Sequence, residues 1–301
     1  MLTFRSLSLT DKPKIELAAA AENTRSADYC FGSMFLWDET YQQMLAASGQ
    51  RLVILCGSHE HPEFLFPIGC GELAPVIEEM RDYAMLNGFP LLIHGLEERH
   101  AATLDCMFPG RFQFEENREY ADYIYRADRL ISLTGRHLHG KRNHCNRFES
   151  EHDWSFRALT ESYFPACAAL LERWAAEEAP ELAADIDGER AAIRRAFQHY
   201  DALGLLGGAL FAEGELVAFA IGEPISSETF DVHFEKARTD INGAYAMVNR
   251  EFARLVCKTY PNIRYINRED DIGLENLRKS KESYAPDILL RKFTARWKEK
   301  A

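Results

Sequence analysis

Strict alternation over Thr229-Phe230-Asp231-Val232-His233-Phe234-Glu235 marks the stretch of this chain best equipped for chemistry. Period-two spacing predicts a strand with Phe230, Val232 and Phe234 on one face and Asp231, His233 and Glu235 on the other. An imidazole between two carboxylates suits proton transfer near neutral pH, so His233, Glu235 and Asp231 are the candidate catalytic groups. On a half-exposed sheet they would be ordinary solvated surface. Here the strand lies in a strand–helix–strand context, where parallel strands are covered on both faces, and the three polar groups then require a cleft.

More reactive side chains follow within fifty residues. Arg268-Glu269-Asp270-Asp271 ends a predicted strand from Ile263 to Asn267, the place where open α/β sheets carry their sites. One of these acids is also suited to cap the next helix. That helix, from Gly273 to Tyr284, is predicted to turn Gly273, Leu277, Ser280 and Tyr284 inward, with Leu274, Arg278 and Lys281 on the shoulder. Glu275 and Lys279 form an outer i,i+4 pair. Tyr284 is a candidate proton donor whose hydroxyl needs a partner, or else simple core.

The positioning elements can be read around these groups. A helix starts near Asn242-Gly243-Ala244, turns Tyr245, Val248, Phe252, Leu255 and Val256 to one face, and stops at Pro261. Its strands must then join by a right-handed crossover as parallel neighbours. Upstream, Arg126 to Phe148 reads as a helical joint, and within it Arg129 to Arg147 contains Arg129, Arg136, Lys141, Arg142 and Arg147 with no acid. Arg142 shares a face with Leu138 and Cys145, so it is expected to point inward and seek an acid or a phosphate.

In the first half, Arg51–Gly57 pairs with Phe64–Ile68, and Glu72–Asn87 and Glu97–Met107 are helices. Strands are predicted at Pro90–His94, Phe112–Glu115 and Tyr120–Tyr125. The second half runs strand Ser155–Ala158, helix Thr160–Glu178 capped by its threonine, a break at Ala179-Pro180-Glu181, and helix Gly188–Asp201. A hairpin around Glu213-Gly214 then joins Leu205–Ala212 to Glu215–Gly222, and Ile288–Arg296 closes the chain. The order β-α-α-β-β-β-α-β-α-β is that of a GNAT-type acyltransferase domain. The fold class is therefore α/β with mixed sheets.

At 301 residues the chain has room for two domains. A net charge of −12 argues against non-specific coating of nucleic acid. Seven cysteines without close pairs point to reduced thiols and a cytoplasmic setting, and no signal-peptide pattern or membrane-length apolar run is present. Without CxxC or HExxH spacing, no metal site is expected.

Two stretches carry a family resemblance. Gly140-Lys141-Arg142-Asn143-His144-Cys145-Asn146-Arg147-Phe148, with Tyr120–Tyr125 upstream, is the first. Tyr265-Ile266-Asn267-Arg268-Glu269-Asp270-Asp271-Ile272-Gly273-Leu274, continued by Leu277–Lys281, Ser283-Tyr284 and Pro286, is the second. Both resemble a bacterial family related to the C-terminal domain of phosphatidylglycerol lysyltransferases. The resemblance implies two tandem GNAT-like domains, shared with the Fem peptidoglycan aminoacyltransferases, here at 1–125 and 151–301 with a bridge at 126–150. It further implies transfer of an aminoacyl group from aminoacyl-tRNA, with tRNA as a partner. Characterised lysyltransferases add a membrane-embedded domain. This chain has no such span, so a small soluble or peptide acceptor is expected, with no cofactor required.

The alternative donor is acyl-CoA, bound in GNAT enzymes by a Q/R-x-x-G-x-G/A loop at a helix N-terminus. Lys236-Ala237-Arg238-Thr239-Asp240-Ile241-Asn242-Gly243-Ala244 keeps one glycine of that pattern and adds Asp240. A non-catalytic phosphate- or tRNA-binding protein is the third reading. The expected binding residues are Lys141, Arg142, Asn143, Lys236, Arg238, Gly243, Tyr245, Asn267, Arg268, Glu269, Asp270, Arg278 and Lys281, with Tyr284 as general acid.

Overall fold

The computed structural model describes residues 1–57, 61–177 and 183–298. The expected break at Ala179-Pro180-Glu181 and helix end at Glu178 lie outside them. Two compact units result. One comprises Met1–Asp122, Asp270–Gly273 and Leu290–Ala301, the other Tyr123–Glu269 and Leu274–Leu289.

The first unit is built on a mixed sheet ordered Arg5–Ser6, Met44–Ser48, Arg51–Gly57, Pro62–Leu65, Leu92–Leu96, Phe293–Trp297, Phe112–Glu116, with Ile68–Gly69 paired to the third. Among the described residues, Pro62–Leu65 and Leu92–Leu96 pair in parallel in it. Ile288–Arg296, expected as a last strand or a strand–helix, is two strands. Ile288–Leu290 stays in the other sheet, while Phe293–Trp297 pairs antiparallel with both Leu92–Leu96 and Phe112–Glu116.

The second unit holds the residues of interest. It runs β1 (Asp122–Arg126), α1 (Ala127–Ser132), α2 (His139–Glu151), β2 (Trp154–Ala158), α3 (Phe164–Glu177), α4 (Ala183–Gln198) and α5 (Tyr200–Leu203). Then come β3 (Leu206–Ala212), β4 (Glu215–Pro224), β5 (Thr229–Ala237), α6 (Ala244–Thr259), β6 (Tyr265–Asn267), α7 (Glu275–Glu282) and β7 (Ile288–Leu290). The sheet order is β7-β1-β6-β5-β4-β3-β2. As the crossover requires, β5 and β6 are parallel neighbours, with Thr229 opposite Tyr265 and Asp231 opposite Asn267. The expected bridge at 126–150 is not separate from this unit: Leu138, Cys145 and Phe148 belong to its core with Phe230, Met247 and Phe252.

Ala244, Val248, Phe252 and Val256 recur every four residues and bury one stripe of α6 against the sheet. Each such side chain contributes roughly 1.5–3 kcal/mol when fully buried, alanine less. Tyr245, expected on that stripe, is exposed instead, as is Ser280 on α7. Thr160 caps no backbone group, because its hydroxyl meets that of Ser162 at 2.8 Å.

The main departure from the alternation lies inside β5. Phe234 faces Ile221 and Val232 faces Gly222, so His233 is an extra residue, a β-bulge. A bulge reverses which side chains share a face. Glu235 therefore sits opposite Ala220 on the α6 side with Phe230, Val232 and Ala237, while Asp231 sits opposite Glu223 on the other side. The predicted single face of Asp231, His233 and Glu235 is split in two.

Candidate functional site

β6 pairs with only the first three residues of the nine-residue β5, so the strands part beyond Asp231 and Asn267. Arg268, the first residue after β6, bridges the opening. Its Nη2 donates to Glu235 Oε1 at 2.9 Å, and Asn249 Nδ2 on α6 donates to Glu235 Oε2 at 3.0 Å. Among the described residues, Arg268 Nη1 meets no acceptor in hydrogen-bond geometry, although it is buried.

Aromatic rings enclose this pair. The Arg268 guanidinium lies 4.9 Å from the centre of the Tyr284 ring and 5.8 Å from that of Tyr125. Lys141 of α2 places Nζ 4.3 Å from the centre of the Tyr284 ring. Burial pushes the Tyr284 and Tyr125 phenols well up, so both stay protonated at neutral pH. Burial, then the Arg268 charge, pulls the Lys141 ammonium down. For Arg268 burial acts in the opposite sense to Glu235, Tyr125 and Tyr284, which together hold the guanidinium raised.

Behind Arg268 the turn is fixed from two sides. Lys281 Nζ donates to the Arg268 carbonyl at 2.6 Å, and Asn267 Oδ1 accepts from the Glu269 N–H at 2.7 Å. On the opposite side of the sheet, His233 is surrounded by Asp231, Glu223 and Glu269 at 3.3–3.4 Å. Burial, then Asp231, raises the Glu269 carboxyl above the usual carboxylate range.

The fold thus gathers Glu235, Arg268, Tyr284 and Lys141 into one group, and Asp231, His233 and Glu269 into another. Lys281 and Asn267 hold the turn between them. Other expected residues are engaged elsewhere. Arg142 donates to the Leu133 carbonyl at 2.6 Å, not to an acid or phosphate, and Asn143 Nδ2 lies exposed 3.3 Å from His139 Nδ1. Arg147 pairs with Glu151 on the surface. Lys236 binds Glu189 at 2.7 Å over the Trp174 ring, and Arg238 forks onto Asp240. Arg278 is half-buried on α7.

Of the acid run, Asp271 accepts from the Gly273 N–H in the turn before α7 and pairs with Arg118, while α7 has Leu274 at its N-cap and no side-chain cap, so the capping role expected of one acid is not taken. Asp270 falls in the first unit, where its charge acts on Lys292. Asn249, Tyr125 and Glu223 were not foreseen. Asn249 and Glu223 are polar residues within apolar stretches, which is the signal a sequence offers for them.

Gly243 opens α6 at φ +89°, and a Cβ there would lie 2.6 Å from the His144 carbonyl oxygen and 3.2 Å from Phe148. Asn242 Oδ1 is also 2.9 Å from His144 Nδ1. α2 therefore packs against Gly243 at the helix N-terminus where a GNAT loop would hold pyrophosphate, while Asn242 and Tyr245 on either side are exposed. Asp240 nearby is held down at about 2 by Arg238.

Solved structures share this tandem, GNAT-type architecture. One is a tandem GNAT protein of the clavulanic acid biosynthesis pathway, 11% identical, matched over 100% of both chains with a TM-score of 0.50. The L-PGS of Bacillus licheniformis is 15% identical, over 89% of this chain and 88% of its own, with a TM-score of 0.64. A conserved protein of unknown function from Bacteroides thetaiotaomicron VPI-5482 is 36% identical, over 99% of this chain and 100% of its own, with a TM-score of 0.93. Residues 20–296 match the model of the family described as phosphatidylglycerol lysyltransferase, C-terminal, and the chain belongs to that family. No curated protein matches it. Among the described residues, no helix is long and apolar enough to cross a membrane.

Proposed function

We propose that the chain is an acyl-transfer enzyme that moves an aminoacyl group from the ester of an aminoacyl-tRNA to an amine or hydroxyl of a small soluble or peptide acceptor. The observation that carries this reading is the Arg268–Glu235 pair in the opening between β5 and β6, with Nη1 of Arg268 left as a buried donor. A donor of that kind stabilises an oxyanion as it forms on the ester carbonyl. Glu235 takes the proton of the attacking group as the new bond to the carbonyl carbon forms. When the carbon–oxygen bond to the ribose breaks, the Tyr284 hydroxyl supplies the proton to the leaving oxygen. His233 lies across the sheet from Tyr284 and takes no part.

Two observations favour the aminoacyl ester over acyl-CoA. The family description names a lysyl transfer, and His144 and Phe148 of α2 pack against Gly243 at the α6 N-terminus that pyrophosphate would need. Lys141 lies over the Tyr284 ring, Arg142 bonds the Leu133 carbonyl and Arg147 pairs with Glu151, so tRNA contacts are not assigned to that joint.

The test is a transfer assay. A tRNA pool charged with labelled amino acids, and separately labelled acetyl-CoA, is mixed with the protein and the small-molecule and peptide fraction of a bacterial lysate. Label should leave the tRNA ester for a low-mass product only when protein is present. Transfer from acetyl-CoA alone, or no transfer from any charged tRNA, would contradict the reading.

A further inference from the structure

The expected absence of a metal site rested on spacings local in sequence, yet the β5 bulge gathers ligand-type groups that are distant in it. His233 turns Nδ1 toward Asp231 Oδ2 at 3.4 Å and Glu269 Oε1 at 3.3 Å, and Nε2 toward Glu223 Oε1 at 3.4 Å. The His233 and Asp231 side chains are inaccessible, Glu223 is 3% exposed and Glu269 24%.

The contact of His233 Nδ1 with Glu269 Oε1 is a long hydrogen bond at 3.3 Å. A charge-assisted N–H···O⁻ bond closes to about 2.7–2.9 Å. Donor atoms that share one ion at bonds of about 2.0–2.2 Å sit roughly 3.0–3.5 Å apart along the edges of its coordination shell. One ligand atom each from Asp231, His233 and Glu269 lies within 4.8 Å of the others.

We propose that Asp231, His233 and Glu269 bind a divalent first-row transition ion, Mn²⁺ or Zn²⁺, through His233 Nδ1 and one oxygen of each carboxylate. A single imidazole with two carboxylates is a donor set for these ions and softer than the all-oxygen cages of Ca²⁺ and Mg²⁺. Glu223 orients the ring from the far side. A proton on Nε2 facing its carboxylate leaves the Nδ1 lone pair toward the ion, the arrangement that metal-bound histidines adopt. The exposed quarter of Glu269 is the side from which an ion enters.

The experiment uses the full chain, freed of metal by chelator and dialysis. It is titrated calorimetrically with MnCl₂, ZnCl₂, CaCl₂ and MgCl₂, and its melting temperature is recorded with each. One Mn²⁺ or Zn²⁺ should bind per chain and raise the melting temperature. Glu269→Gln should weaken binding at least about 100-fold, and Glu223→Gln about 10- to 100-fold. No saturable binding of either ion to the parent chain would overturn the proposal. So would equal affinity for Ca²⁺, or unchanged affinity in a folded Glu269→Gln. The readout involves no aminoacyl transfer, so it stands or falls apart from the proposed function.

Discussion

At the residue scale, the Arg268–Glu235 pair ties folding to the proposed chemistry. Their side chains are 11% and 9% exposed, so each is the other's principal counter-charge. Arg268→Ala leaves a buried carboxylate held by Asn249 alone and should cost about 3–5 kcal/mol in urea unfolding. Glu235→Gln keeps the Arg268 bond through its amide oxygen and keeps the Asn249 contact only if the Asn249 amide turns over to accept, and it should cost less than Arg268→Ala because no charge is left unpaired on a carboxylate. A second residue-scale prediction concerns His100 of the first unit, stacked on Phe66 with ring centres 4.1 Å apart. Burial lowers its imidazole to about 4, below the usual 6.5. The unfolded chain takes up this proton below pH 6.5, and the folded chain only near pH 4. Stability contributed by neutral His100 is therefore full above pH 6.5 and is lost as pH falls toward 4, by roughly 3 kcal/mol at most. Unfolding free energies from pH 4 to 7.5 should show this slope, and His100→Gln should flatten it.

At the element scale, the bulge in β5 decides which groups meet. Gly222 makes it possible, since a Cβ there would lie 1.9 Å from the Asp231 carbonyl oxygen and 2.6 Å from the Phe230 ring. Gly222→Ala must push β4 and β5 apart, so it should lower stability by more than about 1 kcal/mol and weaken metal binding at His233. Denaturation together with calorimetry checks both. The alternating pattern of Thr229–Glu235 made the strand legible, and the crossover made its parallel neighbour legible. The bulge was not, because two residues opposing one is a property of the β4–β5 pairing, not of either strand's own spacing. Glu235 therefore changed face, and the inferred catalytic trio separated. Arg142 shows the same limit. Helical periodicity turned it inward correctly, but only the fold could give it the Leu133 carbonyl as partner.

At the scale of the whole molecule, family and fold class were readable from Gly140–Phe148 and Tyr265–Pro286, while unit boundaries were not. Phe293–Trp297 is a strand by composition, and nothing in it reveals that it pairs with Leu92–Leu96 and Phe112–Glu116. The central claim is that this family member transfers an aminoacyl group at the opening between β5 and β6. Single-turnover transfer from charged tRNA, compared between the parent chain and Glu235→Gln, tests it most directly, with melting temperature and donor affinity measured alongside. Loss of the carboxylate base should slow transfer by about 100-fold or more while the fold and donor affinity are kept. A folded Glu235→Gln that transfers at the parent rate would contradict the account.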